Sequence, residues 1–114
     1  MAKEKDYTDL LENLRFELHR GSLVLAVLSL LQNEAYGYAL KQQLAQGNLE
    51  INEGTLYPLL RRLESQALLD SEWRVIDEAR PRRYYKINEL GSRVLADLSL
   101  EWKSISQAVN GLLD

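Results

Sequence analysis

Between Ile51 and Ser65 the chain reads INEGTLYPLLRRLES, and at about 100° per residue Leu56, Leu59, Leu60 and Leu63 fall on a single stripe. Gly54, Pro58, Arg61 and Ser65 fall on the opposite side, flanked by Thr55 and Arg62. One face of this helix therefore needs a core, and the other is polar with no acid at its centre. Asn52 precedes the first helical residue, where its side chain can accept from a free N–H, and Glu53 in the first turn suits the positive end of the helix dipole. Pro58 works against the helix: in the second turn it removes one ladder bond and leaves a carbonyl near Gly54 without its partner. A helix that needed only stability would avoid proline there. Two readings compete. In the functional one, the N-terminal N–H groups and small Gly54 approach a phosphate, Thr55 and Tyr57 hydrogen-bond at the rim, and Arg61 reaches a base edge or a phosphate. In the other, this is an ordinary amphipathic surface helix with two solvated arginines.

Composition narrows the field. At 114 residues and 46% apolar content, the chain fits one domain with one core. It has no cysteine and one histidine, which excludes disulfides, thiolate metal sites, cysteine nucleophiles and multi-histidine metal centres. No carboxylate pair, nucleophile–base set or phosphate loop stands out either, so an enzyme is a distant reading and neither a metal nor a cofactor is expected. A net charge of −3 argues against a protein that coats nucleic acid without specificity, but not against a local basic patch. Charged residues from Lys3 to Asp9 precede any apolar run, and the later apolar run lacks a cleavage-like sequel, which points to a cytoplasmic protein.

Taken in order, Met1–Asp6 is charged and expected to fray. Tyr7, Leu11, Leu14 and Leu18 then make a helical stripe that has no partner within its own segment. His19 follows beside Arg20 and is given no task. The run LVLAVLSLL, Leu23–Leu31, is apolar nearly all round and well short of the about 20 residues that span a bilayer, so it reads as a buried core helix. Gly21 and Ser22 either break it from the preceding helix or let the two run on as one. A third stripe, Tyr36, Ala39, Leu40 and Leu44, ends at Gly47, which is placed to adopt the left-handed conformation. This helix, a short link and the Ile51–Ser65 helix together look like a helix-turn-helix, with Tyr38 and Lys41 where the first helix crosses a nucleic-acid backbone.

Leu69, Ser71, Trp73 and Val75 alternate with Asp70, Glu72 and Arg74, the period of a half-buried strand. A second run, RRYYKIN, puts Tyr85 and Ile87 on one face, and Asp77–Pro81 turns the chain between them. Arg80–Lys86 holds four basic residues, no acid and two tyrosines, the densest positive patch of the sequence. It suits a nucleic-acid contact; the alternative is an edge hairpin protected by charge. Asn88 then caps a last helix in which Leu95, Leu98, Trp102, Ile105, Val109 and Leu112 form an a/d seam. The simplest partners for that seam are the same helix of a second copy and the unpartnered Leu11, Leu14 and Leu18, so a homodimer is expected.

The runs GSLVLAVLSLL, AYGYALKQQL, NEGTLYPLLRRLE and RPRRYYKINELG resemble the PadR family of bacterial transcriptional regulators, and the single C-terminal helix resembles its short-tailed branch. The resemblance covers about Gly21 to Trp102. It implies a mainly α fold with a small β-hairpin: a winged helix-turn-helix at 21–88, with 1–20 an amphipathic helix making a dimer contact and 89–114 a dimerisation helix. It further implies a repressor whose third helix enters the major groove of double-stranded DNA. Carried over residue by residue, it puts Asn52, Gly54, Thr55, Tyr57 and Arg61 on the DNA face and Arg80, Arg82 and Arg83 on the wing. The family's habit of responding to small aromatic compounds makes Trp102 a candidate contact for a planar aromatic effector, against the plainer role of filling the dimer core. One departure is Ala67, where such sequences carry Gly; a left-handed backbone there costs Ala about 1 kcal/mol. The alternative function is a winged-helix protein–protein module whose arginines address an acidic partner. No membrane partner is expected.

Overall fold

The computed structural model describes residues 2–114, so Met1 lies outside the described residues. Both N-terminal apolar patterns belong to one helix, α1 (Ala2–Leu30), which takes in the charged opening as well. Gly21 and Ser22 do not interrupt it. The Ser22 hydroxyl turns back and donates to the His19 carbonyl at 2.8 Å, which occupies the side chain without breaking the ladder. The helix changes environment there. Leu11, Leu14 and Leu18 are 39%, 52% and 77% exposed, whereas Leu23, Val27 and Leu28, with Leu31 just beyond the helix, lie in the core.

A two-residue strand, β1 (Ala35–Tyr36), comes next and leads directly into α2 (Gly37–Gln46). Tyr36 is therefore not on the helical stripe of Ala39, Leu40 and Leu44; its extended backbone, φ −94° and ψ 163°, caps α2 and pairs with Tyr84. So short a strand carries no periodicity to read. Gly47 is also not the left-handed residue, having φ −89°. Asn48 takes that conformation, φ 66°, and the Leu49 N–H then donates to the Leu44 carbonyl at 2.8 Å, closing the helix. Asparagine is the residue that tolerates this region best after glycine.

The helix α3 (Glu53–Ser65) starts as its sequence indicates, with Asn52 Oδ1 accepting from the Thr55 N–H at 2.9 Å, and it runs unbroken through Pro58. Leu56, Leu59, Leu60 and Leu63 are all buried and meet Leu28, Leu31, Leu40 and Leu44 in the core. Each such leucine contributes about 1.5–3 kcal/mol by leaving water, enough to fix which face points out. The helix ends as α2 does: Ala67 has φ 64°, and the Leu68 N–H donates to the Leu63 carbonyl at 3.0 Å.

β2 (Leu69–Arg74) and β3 (Arg82–Ile87) form the hairpin, and β1 adds to its other edge, giving an antiparallel sheet in the order β1-β3-β2. The register sets Ser71 opposite Tyr85 and Trp73 opposite Arg83. Leu69, Tyr85, Ile87 and Ala35 face the core. The connection is longer than Asp77–Pro81, because β2 stops at Arg74 and leaves Val75 and Ile76 63% and 50% exposed in the turn. Trp73, expected on the half-buried face, is 63% exposed because the hairpin overruns the core.

α4 (Glu89–Leu113) begins at Asn88, whose Oδ1 accepts from the Gly91 N–H at 2.8 Å and whose Nδ2 donates to the Ala67 carbonyl at 2.8 Å. Gly91 is buried against the Leu68 carbonyl and Ile87, and a Cβ at this position would collide with both. The seam of α4 then divides. Leu95 and Leu98 pack against the core of their own chain, while Trp102, Ile105, Val109 and Leu112 are 47%, 53%, 45% and 86% exposed.

Ala67 gives a direct test of the α3–β2 corner. Ala67→Gly relieves a left-handed alanine and should raise stability by about 1 kcal/mol, read as an upward shift of the thermal unfolding midpoint. An unchanged or lowered midpoint would show that the corner is not strained.

Candidate nucleic-acid interface

The outward face of α3 is set by its cap at one end and its leucines along its length. Gly54, Pro58 and Arg61 are exposed, and Thr55 is half-buried with its N–H held by Asn52. The Tyr57 ring lies on Gly37 at the start of α2, so closely that a Cβ on residue 37 would run into the ring. Burial there, with Glu53 nearby, raises the Tyr57 hydroxyl above its ordinary pKa. Tyr38, one residue on from Gly37, is 51% exposed. Lys41 of α2 stands 4.0 Å from Glu53 across the helix-turn-helix. Tyr38, Lys41, Asn52, Gly54, Thr55 and Tyr57 thus lie in or beside the first two turns of α2 and α3, and Arg61 stands one turn beyond Tyr57.

On the wing the arginines divide into two sets. Arg80 and Arg82 are exposed and, like Arg61, have no acidic partner among the described residues. The Arg82 guanidinium rests 4.4 Å above the Tyr36 ring, and Tyr36 meets Tyr84 edge-on at 5.5 Å. Such contacts hold a cation in place without neutralising it. Arg83 points the other way, to the face nearest α3, where its Nη2 donates to Glu64 Oε1 at 2.6 Å and its Nε donates to Ser71 Oγ at 3.0 Å. Arg74 is likewise engaged: Nη1 and Nη2 donate to the two oxygens of Glu34 at 2.7 and 2.8 Å, and Nε donates to Glu72 at 3.0 Å. Those bonds, Glu34 first, push the Arg74 pKa up, and the Arg74 hydrogen bond holds the Glu34 carboxyl below the usual range.

Between α3 and the wing lies an open cleft of about 300 Å³ whose walls include Tyr38, Tyr57, Arg61, Trp73, Arg82 and Arg83. The structure therefore brings Tyr38, Tyr57 and Arg61 together with Arg82 and Arg83 around one cleft, while Lys41, Asn52, Gly54, Thr55 and Arg80 lie outside its walls. Tyr36 and Trp73 join that cleft as well, and Arg74 braces the opposite face of the wing. The pattern puts Tyr36 on a helical stripe and Trp73 in a half-buried strand, and Arg74 and Glu34 stand 40 residues apart, beyond any local pattern. Trp102 lies elsewhere, in a second open groove of about 590 Å³ lined by Leu18, Leu25, Ala26 and Leu49. Among the described residues no helix is long and apolar enough to cross a membrane.

Residues 24–97 match the transcriptional regulator PadR-like family. The crystal structure of a PadR family transcriptional regulator from Eggerthella lenta is 44% identical, covers 96% of this chain and 97% of its own, and superposes with a TM-score of 0.87. A PadR-like transcriptional regulator from Bacillus cereus is 29% identical over 86% of this chain and 97% of its own, with a TM-score of 0.75. A transcriptional regulator of Mycobacterium tuberculosis is 38% identical over 79 residues, 69% of this chain and 73% of its own. These relatives are regulators of transcription and not enzymes, and the two solved structures share the mainly helical fold with a small antiparallel sheet described above to the extent of those TM-scores. The chain belongs to the PadR-like family of DNA-binding transcriptional regulators.

Proposed function

We propose that this chain is a sequence-specific repressor that binds operator DNA as a homodimer in the bacterial cytoplasm and responds to a planar aromatic effector. The observation that carries the DNA-facing part is the distribution of unpaired cations: Arg61 on α3 and Arg82 on the wing line one cleft, with exposed Arg80 next in the chain to Pro81 of its wall, while the other wing arginines are occupied by acids of the same chain. A duplex offers phosphates to both sides of the cleft, and an acidic protein partner would not need this spacing. In this reading the outward face of α3 enters the major groove with Arg61 at a base edge, and Tyr38, Lys41, Asn52, Thr55 and Tyr57 meet the backbone around close-approaching Gly54. The segment 21–88 is the DNA-binding part.

Two substitutions separate reading from positioning. Arg61→Ala should cost about 1–3 kcal/mol of operator affinity and relax sequence preference. The pair Arg80→Ala, Arg82→Ala should weaken all sequences alike and flatten the dependence of log affinity on log salt by about 0.9 per lost phosphate contact. Titration of both variants at several salt concentrations checks this. Wild-type affinity and slope in both would remove the assignment.

Dimerisation rests on two exposed apolar stripes, Trp102, Ile105, Val109 and Leu112 on α4 and Leu11, Leu14 and Leu18 on α1. Each needs cover, and together they fit a second copy, with 1–20 and 89–114 as the dimer-forming parts and Leu95 and Leu98 the root of the seam. Ile105→Asp would bury an unpaired carboxylate at that interface, so the protein should become monomeric or unfold and lose operator binding. Sedimentation at micromolar concentration decides; a variant that stays dimeric would overturn the assignment.

The effector reading rests on Trp102, 47% exposed and lining the groove between α1 and α4, where a flat ring can stack. Binding there changes the DNA-competent population only if it favours one arrangement of the two copies. In a Trp73→Phe protein, Trp102 is the only tryptophan, and planar aromatic compounds should quench its fluorescence saturably. If none does, Trp102 is a packing residue.

A further inference from the structure

We infer that Arg83 is a positioning residue of the wing and not a phosphate contact: its ion pair with Glu64 fixes the angle between the wing and the recognition helix, so that Arg61 and Arg82 meet one duplex together. The inference rests on the DNA-binding reading above and deepens it. It also departs from the expectation that Arg83 touches DNA directly.

The outer part of the wing has almost nothing apolar to hold it. Tyr85 and Ile87 are buried at the base of β3, but one step further along the hairpin Trp73 is 63% exposed, and Val75 and Ile76 beyond it are exposed as well. Apart from Tyr36, which meets Tyr84 and lies under Arg82, the contacts that cross from this part of the wing to the body are ion pairs and hydrogen bonds. On the face toward α3, Glu64 in the last turn of the recognition helix receives Arg83 of β3 at 2.6 Å and also the hydroxyl of Ser71 in β2, while Arg83 Nε reaches the same hydroxyl at 3.0 Å. One carboxylate thus joins the recognition helix to both strands of the hairpin. The Glu64 and Arg83 side chains are only 24% and 34% exposed, and the guanidinium lies 5.7 Å from the Trp73 ring and 5.6 Å from the Tyr85 ring. A half-buried pair in a closed triangle of bonds is well placed to set an angle, because bending the wing either way breaks a charge-assisted bond.

The opposite face carries a counterpart. Arg74 of β2 is bound by both oxygens of Glu34, in the link between α1 and β1, at 2.7 and 2.8 Å. The wing is therefore held from both faces by acid–arginine pairs anchored on different elements of the body. The same feature explains a charge pattern that a simple DNA-binding surface would not show, with the carboxylate of Glu64 bound to Arg83 of the cleft wall.

The two roles for Arg83 predict opposite signs for one substitution. Glu64→Gln removes a negative charge next to the cleft and frees Arg83; if Arg83 binds phosphate, operator affinity should rise and the salt dependence should steepen. If the pair sets the wing angle, affinity for a duplex selected by the wild-type protein from a random pool should fall about tenfold, a loss equivalent to about 1.4 kcal/mol. The salt slope of Arg83→Gln should stay at the wild-type value, since no phosphate contact is lost. The exchange Glu64→Arg with Arg83→Glu should restore most of the affinity, whereas a glutamate at a phosphate contact would abolish it.

A second measurement needs no DNA. Because the chain has no cysteine, spin labels can be placed at Ser65→Cys on α3 and Ala79→Cys at the wing tip. The distance distribution between them should broaden in Glu64→Gln and narrow again in the exchange variant. Broadening with no selected duplex for the wild type would remove the DNA reading and leave the wing mechanics. An unchanged distribution, or tighter binding by Glu64→Gln, would overturn the inference.

Discussion

Burial of the α3 leucine stripe is the constraint from which the working surface follows. Leu56, Leu60 and Leu63 are at most 2% exposed and lock the rotation of the helix about its own axis against Leu28, Leu31, Leu40 and Leu44. Turning α3 by one residue would bring a polar side chain into this core and lift a leucine out, a change worth several kcal/mol on burial alone. Arg61 therefore faces outward because of what its neighbours bury. The bond lost at Pro58 is tolerable for the same reason, since packing and not ladder strength holds the helix.

A net charge of −3 on a DNA-binding protein becomes intelligible at the level of pairs. Glu34, Glu64 and Glu72 are engaged by Arg74 and Arg83, which brace the hairpin, and Glu53 stands near Lys41. Among the described residues, the cations left without acidic partners include Arg61 and Arg82 at the cleft and Arg80 in the turn beside it. Overall charge governs solubility and long-range approach, while recognition depends on which charges remain uncompensated where the duplex is expected to lie.

Much of this could be read in the sequence where the signal is local. Asn52 and Asn88 cap the helices their positions suggested, the α3 leucines are buried, and Leu69, Tyr85 and Ile87 face the core as alternation requires. What escaped is of two kinds. Some of it is too short to have a period: β1 is two residues, so Tyr36 was drawn into the neighbouring helix, and the choice between Gly47 and Asn48 for the left-handed closure turns on one residue. The rest depends on contacts far apart in the chain. Nothing local tells Arg83 from Arg82, yet alternation along β3 sends one to Glu64 and the other to the ring of Tyr36. The same holds for the α4 seam, which is uniform in sequence but passes from the chain's own core to exposed surface between Leu98 and Trp102.

The joint at Asn88 has a mechanical consequence. Its side chain ties the first turn of α4 to the Ala67 carbonyl at the end of α3, and Gly91 lets the two backbones touch with no side chain between them. A joint made of backbone contact and short hydrogen bonds couples the start of α4 to the corner that follows α3, so the two helices would turn as arms of one bent lever. In a pair of copies joined through α4, the separation of the two reading helices would be a geometric function of how the α4 helices cross. A change of a few degrees at that crossing would be transmitted along the 25 residues of α4 to its fulcrum and delivered as a shift in reach along the DNA. Operator spacing would then be written as much in the residues that pack α4 as in those that touch bases.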